Sequence, residues 1–268
     1  MADISGKVAV VTGGYKGLGV AISRALAGAG ARVSIWARDL SAIDPVAREL
    51  GAQAVRCDVR DPADVYRAID VTVAELGGVD VMVANAGHPS VFKSFLDVTA
   101  EDWAAIVETN LGGVFRTTQA AARQMVAQGR GGKIIVITSI RSGRGAPHAA
   151  EYAASKSGAE GLVRVMAVGL APHGIQVNAV RPGWMATEMT EALRANDALS
   201  DALIRQVPAR RWGQPEDVAG IVLYLASSAS DFHTGDVITV DGGFMAGDPL
   251  DPTQYLEEAS AAAARSGG

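Results

Sequence analysis

Lys7-Val8-Ala9-Val10-Val11-Thr12-Gly13-Gly14-Tyr15-Lys16-Gly17-Leu18-Gly19 is the stretch that decides the architecture of this chain. Its first six residues form a short apolar, β-branched run of the kind found in a strand buried on both faces. Glycines follow, and an Ala-rich periodic segment then runs to Gly28-Ala29-Gly30. Strand, glycine turn and helix in that order suit a nucleotide phosphate: the glycines let the backbone approach a pyrophosphate, and the helix N-terminus offers free N–H groups and a partial positive charge. A glycine turn alone is more often only a turn; its place between a first strand and a first helix makes this one a dinucleotide site.

The next run, Ala31-Arg32-Val33-Ser34-Ile35-Trp36-Ala37, reads as a second parallel strand, and its end selects the cofactor. An acid there holds an adenosine 2′-hydroxyl, whereas a 2′-phosphate is repelled by a carboxylate and wants an arginine. Ala37 stands where the acid is expected and Arg38 follows, with Lys16 adding a second positive charge in the glycine turn. NADP(H) is therefore expected over NAD(H). NAD(H) stays open because Asp39 is close enough to shift the alignment by a residue or two.

The bulk properties bound the rest. A chain of 268 residues suits one large α/β domain. Its 24 basic and 29 acidic residues give a net charge of −5, without a basic cluster that could track a phosphate backbone, so nucleic acid is not an expected partner. No targeting segment or apolar run long enough for a membrane span is visible, and a cytoplasmic, soluble protein is expected. The lone Cys57 reads as a small buried apolar residue, and His88, His148, His173 and His233 lack ligand spacing, so no metal site is expected.

Further along, a helix over 40–50 leads to a third strand, Gln53-Ala54-Val55-Arg56-Cys57, which delivers Asp58 and Val59 to the sheet's carboxyl edge. Asp58 could accept a hydrogen bond from an adenine amino group or simply stabilise a turn. Asp61-Pro62 supplies an N-cap and a first-turn proline. A fourth strand, Val79 to Ala84, ends in Asn85-Ala86-Gly87, and Thr99-Ala100-Glu101-Asp102 has the form of a capping box. The helical pattern from Trp103 to Met125 is interrupted by Asn110, Gly112 and Gly113, poor helix-interior residues costing about 1–2 kcal/mol, which predicts a kink or a function there. Lys133 to Thr138 is a fifth strand, Ile175 to Val180 a sixth leading into Arg181-Pro182-Gly183, and Val237 to Val240 a last one. An excursion over about 184–212 crosses the carboxyl edge without a strong helical face. Seven apolar strands alternating with helices predict a Rossmann-like, doubly wound, seven-stranded parallel sheet flanked by helices in a single domain over 1–246, with a tail of unknown role at 247–268.

Ser139 ends the fifth strand, where open α/β sheets bind ligands. Thirteen residues on, Tyr152 and Lys156 are spaced to lie on one face of a helix with Cβ atoms roughly 5–6 Å apart. In order along almost the whole chain stand Thr12-Gly13-x-x-x-Gly17-x-Gly19, Asp58, Asn85-Ala86-Gly87, Asn110, Ser139, Tyr152-x-x-x-Lys156, and Pro182-Gly183 followed by Thr187. Together these resemble the short-chain dehydrogenase/reductase family in its compact single-domain branch. The resemblance implies that Asn110, Ser139, Tyr152 and Lys156 form a catalytic tetrad. It implies a cofactor held by Gly13, Tyr15, Lys16, Gly17, Leu18 and Gly19 at the phosphates, and by Arg38, Asp58 and Val59 toward the adenosine. Asn85, Ala86 and Gly87, together with Tyr152 and Lys156, would then face the nicotinamide ribose, and Pro182, Gly183 and Thr187 the carboxamide. It also implies a homo-oligomer, a tetramer or dimer. The long tail departs from the family pattern.

The implied chemistry is interconversion of a ketone and a secondary alcohol, with a small-molecule carbonyl or alcohol as partner. Tyr152 is the general acid in reduction and the base in oxidation. Moving a phenol from a pKa of about 10 toward neutrality requires roughly 4 kcal/mol of preferential phenolate stabilisation, for which Lys156 and an oxidised nicotinamide are the sources. Ser139 would polarise the substrate oxygen, and Asn110 could hold a water that resupplies the proton through Lys156. The competing expectation is a non-catalytic NADP-sensing regulator or scaffold, which keeps the fold without turnover. Arg141, Arg144 and His148 lie between Ser139 and Tyr152 and read as solvated loop charges or as pocket residues for an anionic substrate.

Overall fold

In the computed structural model, which describes residues 4–247, β1 (Val8–Thr12) is buried along its whole length. It pairs in parallel with β2 (Arg32–Ala37) on one side and with β4 (Val81–Ala84) on the other, Val10 lying opposite Ser34 and Met82. Adding β3 (Gln53–Arg56), β5 (Gly132–Ile137), β6 (Ile175–Pro182) and β7 (Val237–Val240) gives one seven-stranded parallel sheet of order β3-β2-β1-β4-β5-β6-β7. This is the Rossmann-like single domain that the strand and helix alternation predicts. The tail beyond Gly247 lies outside the described residues.

Strand alternation divides the core into two layers. Val10, Trp36, Met82 and Ile134 face α3 (Pro62–Leu76), α5 (Gly113–Gln128) and α6 (Ala150–Leu170). Val11, Ile35, Val83 and Ile135 face α1 (Gly17–Gly28), α2 (Leu40–Leu50) and α9 (Pro215–Ala226). Both faces are covered, which explains why these strands read as unbroken apolar runs. Cys57 belongs to the first layer, and burial pushes its thiol up to about 12, leaving a packing residue and not a nucleophile.

The local signals act as their chemistry directs. Asp39 caps α2 by accepting from the Ser41 N–H, Asp61 caps α3 ahead of Pro62, and Thr99 and Asp102 form a reciprocal capping box at α4 (Ala100–Val107). Several boundaries differ from the sequence reading: β3 ends at Arg56, β4 begins at Val81, and β5 lies one residue earlier at both ends. The long pattern over 103–125 is two helices joined by a π turn over Glu108–Gly112. β6 continues two residues past Val180 because its last residues, Arg181 and Pro182, still align with Thr239 and Val240 of β7. The excursion is ordered into α7 (Glu191–Arg194) and α8 (Asp197–Ile204), the latter capped by Asn196, whose side chain accepts from the Leu199 N–H. Among the described residues no helix is long and apolar enough to cross a membrane.

A Cβ added at Gly19 would overlap the Gly13 carbonyl oxygen and come within 2.7 Å of Asn85 Nδ2, whereas one at Gly220, in the exposed middle of α9, meets nothing within 4 Å. Gly19→Ala is therefore expected to destabilise the fold by about 1–3 kcal/mol or more, and Gly220→Ala to stabilise it by about 0.5–1 kcal/mol. Urea denaturation of both variants checks the pair, and equal shifts would contradict this packing.

Candidate active site

The sheet order reverses direction between β1 and β4, so their carboxyl ends diverge into a crevice. One buried hydroxyl organises its floor. Thr12 Oγ1 accepts from the Asn85 and Ala86 N–H groups at 2.9 Å each, while Asn85 Nδ2 donates back to the Thr12 carbonyl at 2.9 Å and to that of Gly13 at 3.3 Å. Gly13 and Gly17 take positive φ values of 64° and 50°, which an L side chain resists, and so the chain turns sharply from β1 into α1. The first turn of α1 carries no acidic residue, and its N-cap Lys16 makes no side-chain capping bond, leaving the helix N–H groups and dipole for an anion. Lys16 Nζ lies 5.5 Å from the Tyr15 ring centre, and Tyr15 and Leu18 pack against the second core layer. This bare, uncapped turn fits a dinucleotide pyrophosphate.

The adenosine side is shaped by charge. Arg38 is exposed at the end of β2. Asp58 holds Arg60 in a two-pronged ion pair at 2.6 and 2.9 Å, which, with a smaller contribution from Arg38, lowers its carboxyl to about 2. Val59 is buried, and a Cβ on Gly113 would strike it at 2.6 Å, so the glycine lets α5 close on this loop. Opposite, the segment after β6 is pinned by Gly183 N–H donating to Val240 O and Ala186 N–H to Gly213 O, and Thr187 lies against Gly17. Glu188 Oε2 also reaches this turn, 3.3 Å from where a Gly17 Cβ would stand.

The four residues singled out as a tetrad converge on the crevice. The Ser139 hydroxyl is close enough to the Tyr152 phenol to act on it, and its Oγ accepts the Arg141 N–H at 3.2 Å. Lys156 Nζ lies 5.7 Å from the Tyr152 ring centre and donates to the Ile137 carbonyl at 2.9 Å. Asn110 and Lys156 both border Gly87, at 3.4 Å for Oδ1 and 3.7 Å for Nζ from a Cβ placed there. Burial raises the phenol's pKa, opposed by the nearby Ser139 hydroxyl and the Arg141 charge, and burial pushes Lys156 down to about 8. At neutral pH the ammonium is still mostly protonated beside the phenol.

Asn110 explains the helix interruption. Its Oδ1 accepts from the His88 N–H at 2.6 Å and its Nδ2 donates to the His88 carbonyl at 3.0 Å, so the side chain clamps the loop after β4. The side-chain carbonyl is thus engaged by the loop, and the backbone around Asn110 leaves the regular helical ladder in the π turn.

Other residues shape the site without having stood out in sequence. Glu151, fully buried at the start of α6, accepts through Oε1 from Ser90 Oγ at 2.7 Å and the Val91 N–H at 3.1 Å, tying that same loop to the Tyr152 helix. Glu160 binds Arg181 in a two-pronged pair and also accepts from the Ser142 hydroxyl. A glutamate in a helix reads as a solvated charge, so neither had a sequence signal. Of the three basic residues in the loop, His148 and Arg144 are exposed, and the Arg144 guanidinium sits 4.2 Å from the Phe244 ring centre. Arg141 is half-buried, 5.0 Å from the Trp184 ring centre.

Comparison with known proteins places this geometry. The family model described as enoyl-(acyl carrier protein) reductase matches residues 13–245. The 2-dehydro-3-deoxy-D-gluconate 5-dehydrogenase of Escherichia coli K12 is 40% identical over 251 residues, 91% of this chain and 97% of that one. The 3-oxoacyl-[acyl-carrier-protein] reductase of Synechocystis is 38% identical over 252 residues, 91% of this chain and 99% of that one. The crystal structure of a gluconate 5-dehydrogenase from Burkholderia cenocepacia in complex with NADP and tartrate superposes with a TM-score of 0.88 at 38% identity, covering 91% of this chain and 97% of that one.

Asn110→Ala leaves the His88 N–H and carbonyl without their partner. A stability loss of about 1–3 kcal/mol is expected, together with faster hydrogen exchange in the 86–92 loop. Unchanged exchange there would show that the clamp does not hold the loop.

Proposed function

The chain belongs to the short-chain dehydrogenase/reductase family, an NAD(P)-dependent oxidoreductase acting on CH–OH and C=O groups, and from that premise we propose an NADP(H)-preferring enzyme that interconverts a ketone and a secondary alcohol with Tyr152 as general acid and base. The observation that carries the reading is the Tyr152 phenol set beside Ser139 and backed by the buried Lys156, at the crevice where the sheet order reverses.

Gly13 to Gly19 and the α1 N-terminus hold the pyrophosphate in this reading, Lys156 the nicotinamide ribose, and the backbone of Pro182 to Thr187 the carboxamide. The bound dinucleotide supplies or takes the hydride. Ser139 donates a hydrogen bond to the substrate oxygen and fixes it beside the phenol. In reduction Tyr152 gives its proton to that oxygen as negative charge develops, and in oxidation the phenolate takes it back. The Lys156 ammonium, in a pocket dry enough to lower its own pKa, stabilises the phenolate more strongly than it would in water. Asn110, through the π turn, leads the proton path from Lys156 toward solvent.

The cofactor preference follows from the end of β2. The nearby carboxylate that would hold a 2′-hydroxyl, Asp39, is turned into α2, where it accepts from both the Ser41 N–H and the Ser41 hydroxyl. Arg38 makes no ion pair among the described residues, and with Lys16 it offers positive charge to a 2′-phosphate.

Tyr152→Phe is expected to retain NADPH binding by fluorescence titration while losing about a hundredfold or more in turnover; near-normal turnover across a ketone and alcohol panel would sink this reading. Arg38→Asp is expected to weaken NADPH roughly tenfold or more while leaving NADH within a few-fold. Equal affinity of the unmodified protein for both cofactors would contradict the preference.

A further inference from the structure

Among the described residues Arg141, in the turn that follows Ser139, has no carboxylate partner. It stands in the single 3₁₀ turn Ile140–Ser142 that Ser139 caps, so the backbone that presents the Ser139 hydroxyl also fixes where the Arg141 side chain departs. Its guanidinium lies over Trp184, which meets Trp212 edge to face at 5.9 Å and 77°. Stacking on an aromatic face holds the guanidinium plane in place and leaves its N–H edge for a ligand.

Among the described residues the nearby acids are held by other groups. Glu160 pairs with Arg181 at 2.7 Å. Asp241 accepts from the Gly243 and Met245 N–H groups at 2.9 and 2.7 Å. Glu151 is held through Oε1 by Ser90 and Val91, and its buried Oε2 has no hydrogen-bond partner. Arg144, over Phe244, adds a second positive charge close enough to act on Arg141, and Arg141 in turn is close enough to act on Tyr152. Burying a guanidinium beside another cation is unfavourable, and the arrangement becomes favourable once a ligand brings an anion to it.

Building on the oxidoreductase reading above, we propose that Arg141 is a specificity-determining residue that binds the carboxylate of a small keto or hydroxy acid, orienting its carbonyl or alcohol carbon toward Ser139 and Tyr152. The planar fork of a guanidinium matches a carboxylate in two parallel hydrogen bonds. A neutral ketone leaves this charge uncompensated, and an acyl thioester on a carrier protein places no carboxylate there. The substrate class is therefore an acid of sugar size and not a long acyl chain.

The test compares keto acids of three to six carbons, 5-keto-D-gluconate among them, with their methyl esters as NADPH-oxidising substrates. The wild-type chain, Arg141→Gln and Arg141→Lys are assayed side by side. The wild type is expected to favour each acid over its ester. In Arg141→Gln the acid-to-ester ratio of kcat/KM falls on the order of 10–100-fold, mainly through KM for the acid, and Arg141→Lys recovers part of it. Tartrate is a second probe that needs no turnover: calorimetric binding to the NADP-loaded protein is expected to weaken at least about tenfold in Arg141→Gln.

Turnover of esters as well as acids by the wild type, or an equal loss for both in Arg141→Gln, overturns the assignment while leaving the oxidoreductase reading intact. A shifted pH profile without change in the acid-to-ester ratio also overturns it and assigns Arg141 to the Tyr152 proton instead. Turnover of neither member of any pair, with NADPH still bound, also overturns the assignment; the oxidoreductase reading falls only if a panel of neutral ketones and secondary alcohols is left untouched as well.

Discussion

The junction of Thr12 with Asn85 and Ala86 is the constraint on which the site depends. Parallel strands on either side of a reversal in sheet order send their connections to opposite faces, and nothing in the ladder itself fixes how far their ends diverge. Here one hydroxyl accepts two backbone N–H groups and one side-chain amide returns two hydrogen bonds, across more than seventy residues of chain. The two strand ends are thereby tied to each other at the floor of the crevice. The glycine turn on one lip and the Asn85-Ala86-Gly87 loop on the other become two walls of a single cradle.

A second set of contacts carries that rigidity to the reacting groups. Asn110 clamps His88 from the π turn, and Glu151 clamps Ser90 and Val91 from the start of α6. The loop after β4 is thus tied to both helices that carry candidate catalytic residues. Tyr152 and Lys156 are placed by this loop as much as by their own helix. The helix alone sets only their mutual spacing.

Electrostatics then divide the crevice into regions of different chemistry. The α1 N-terminus, Lys16 and Arg38 make the cofactor end positive, with the carboxylates of Asp39 and Asp58 engaged by Ser41 and Arg60. At the reacting centre the competing pulls are burial, which favours a neutral Tyr152 and a neutral Lys156, and the nearby Ser139 hydroxyl and positive charge, which favour the phenolate. A group poised between two such pulls can both give and take a proton, which a reversible carbonyl–alcohol exchange requires. Arg141 adds positive charge near the phenol.

The sequence by itself determined the layered architecture, because a seven-strand alternation of apolar runs and amphipathic helices has few compact solutions. It also marked the glycine turn, Asn110, Ser139, Tyr152 and Lys156, since each is an unusual residue for its local structure or lies at a strand end or helical spacing. It flagged the fault at Asn110 but could not say that the fault is a π turn, because the helix adopts that turn to satisfy His88, which lies twenty-two residues earlier. Tertiary structure alone decided which of the ordinary-looking charges matter. Glu151 and Glu160 are as helix-compatible as any surface glutamate, and Arg141 and Arg144 are three residues apart in one loop. Only the positions of Ser90, Arg181, Trp184 and Phe244, all brought from distant strands and loops, tie down Glu151, pair Glu160 and set Arg141 and Arg144 over aromatic rings. Local propensity is blind to such partners because burial and ion pairing are properties of contacts made after the chain has folded.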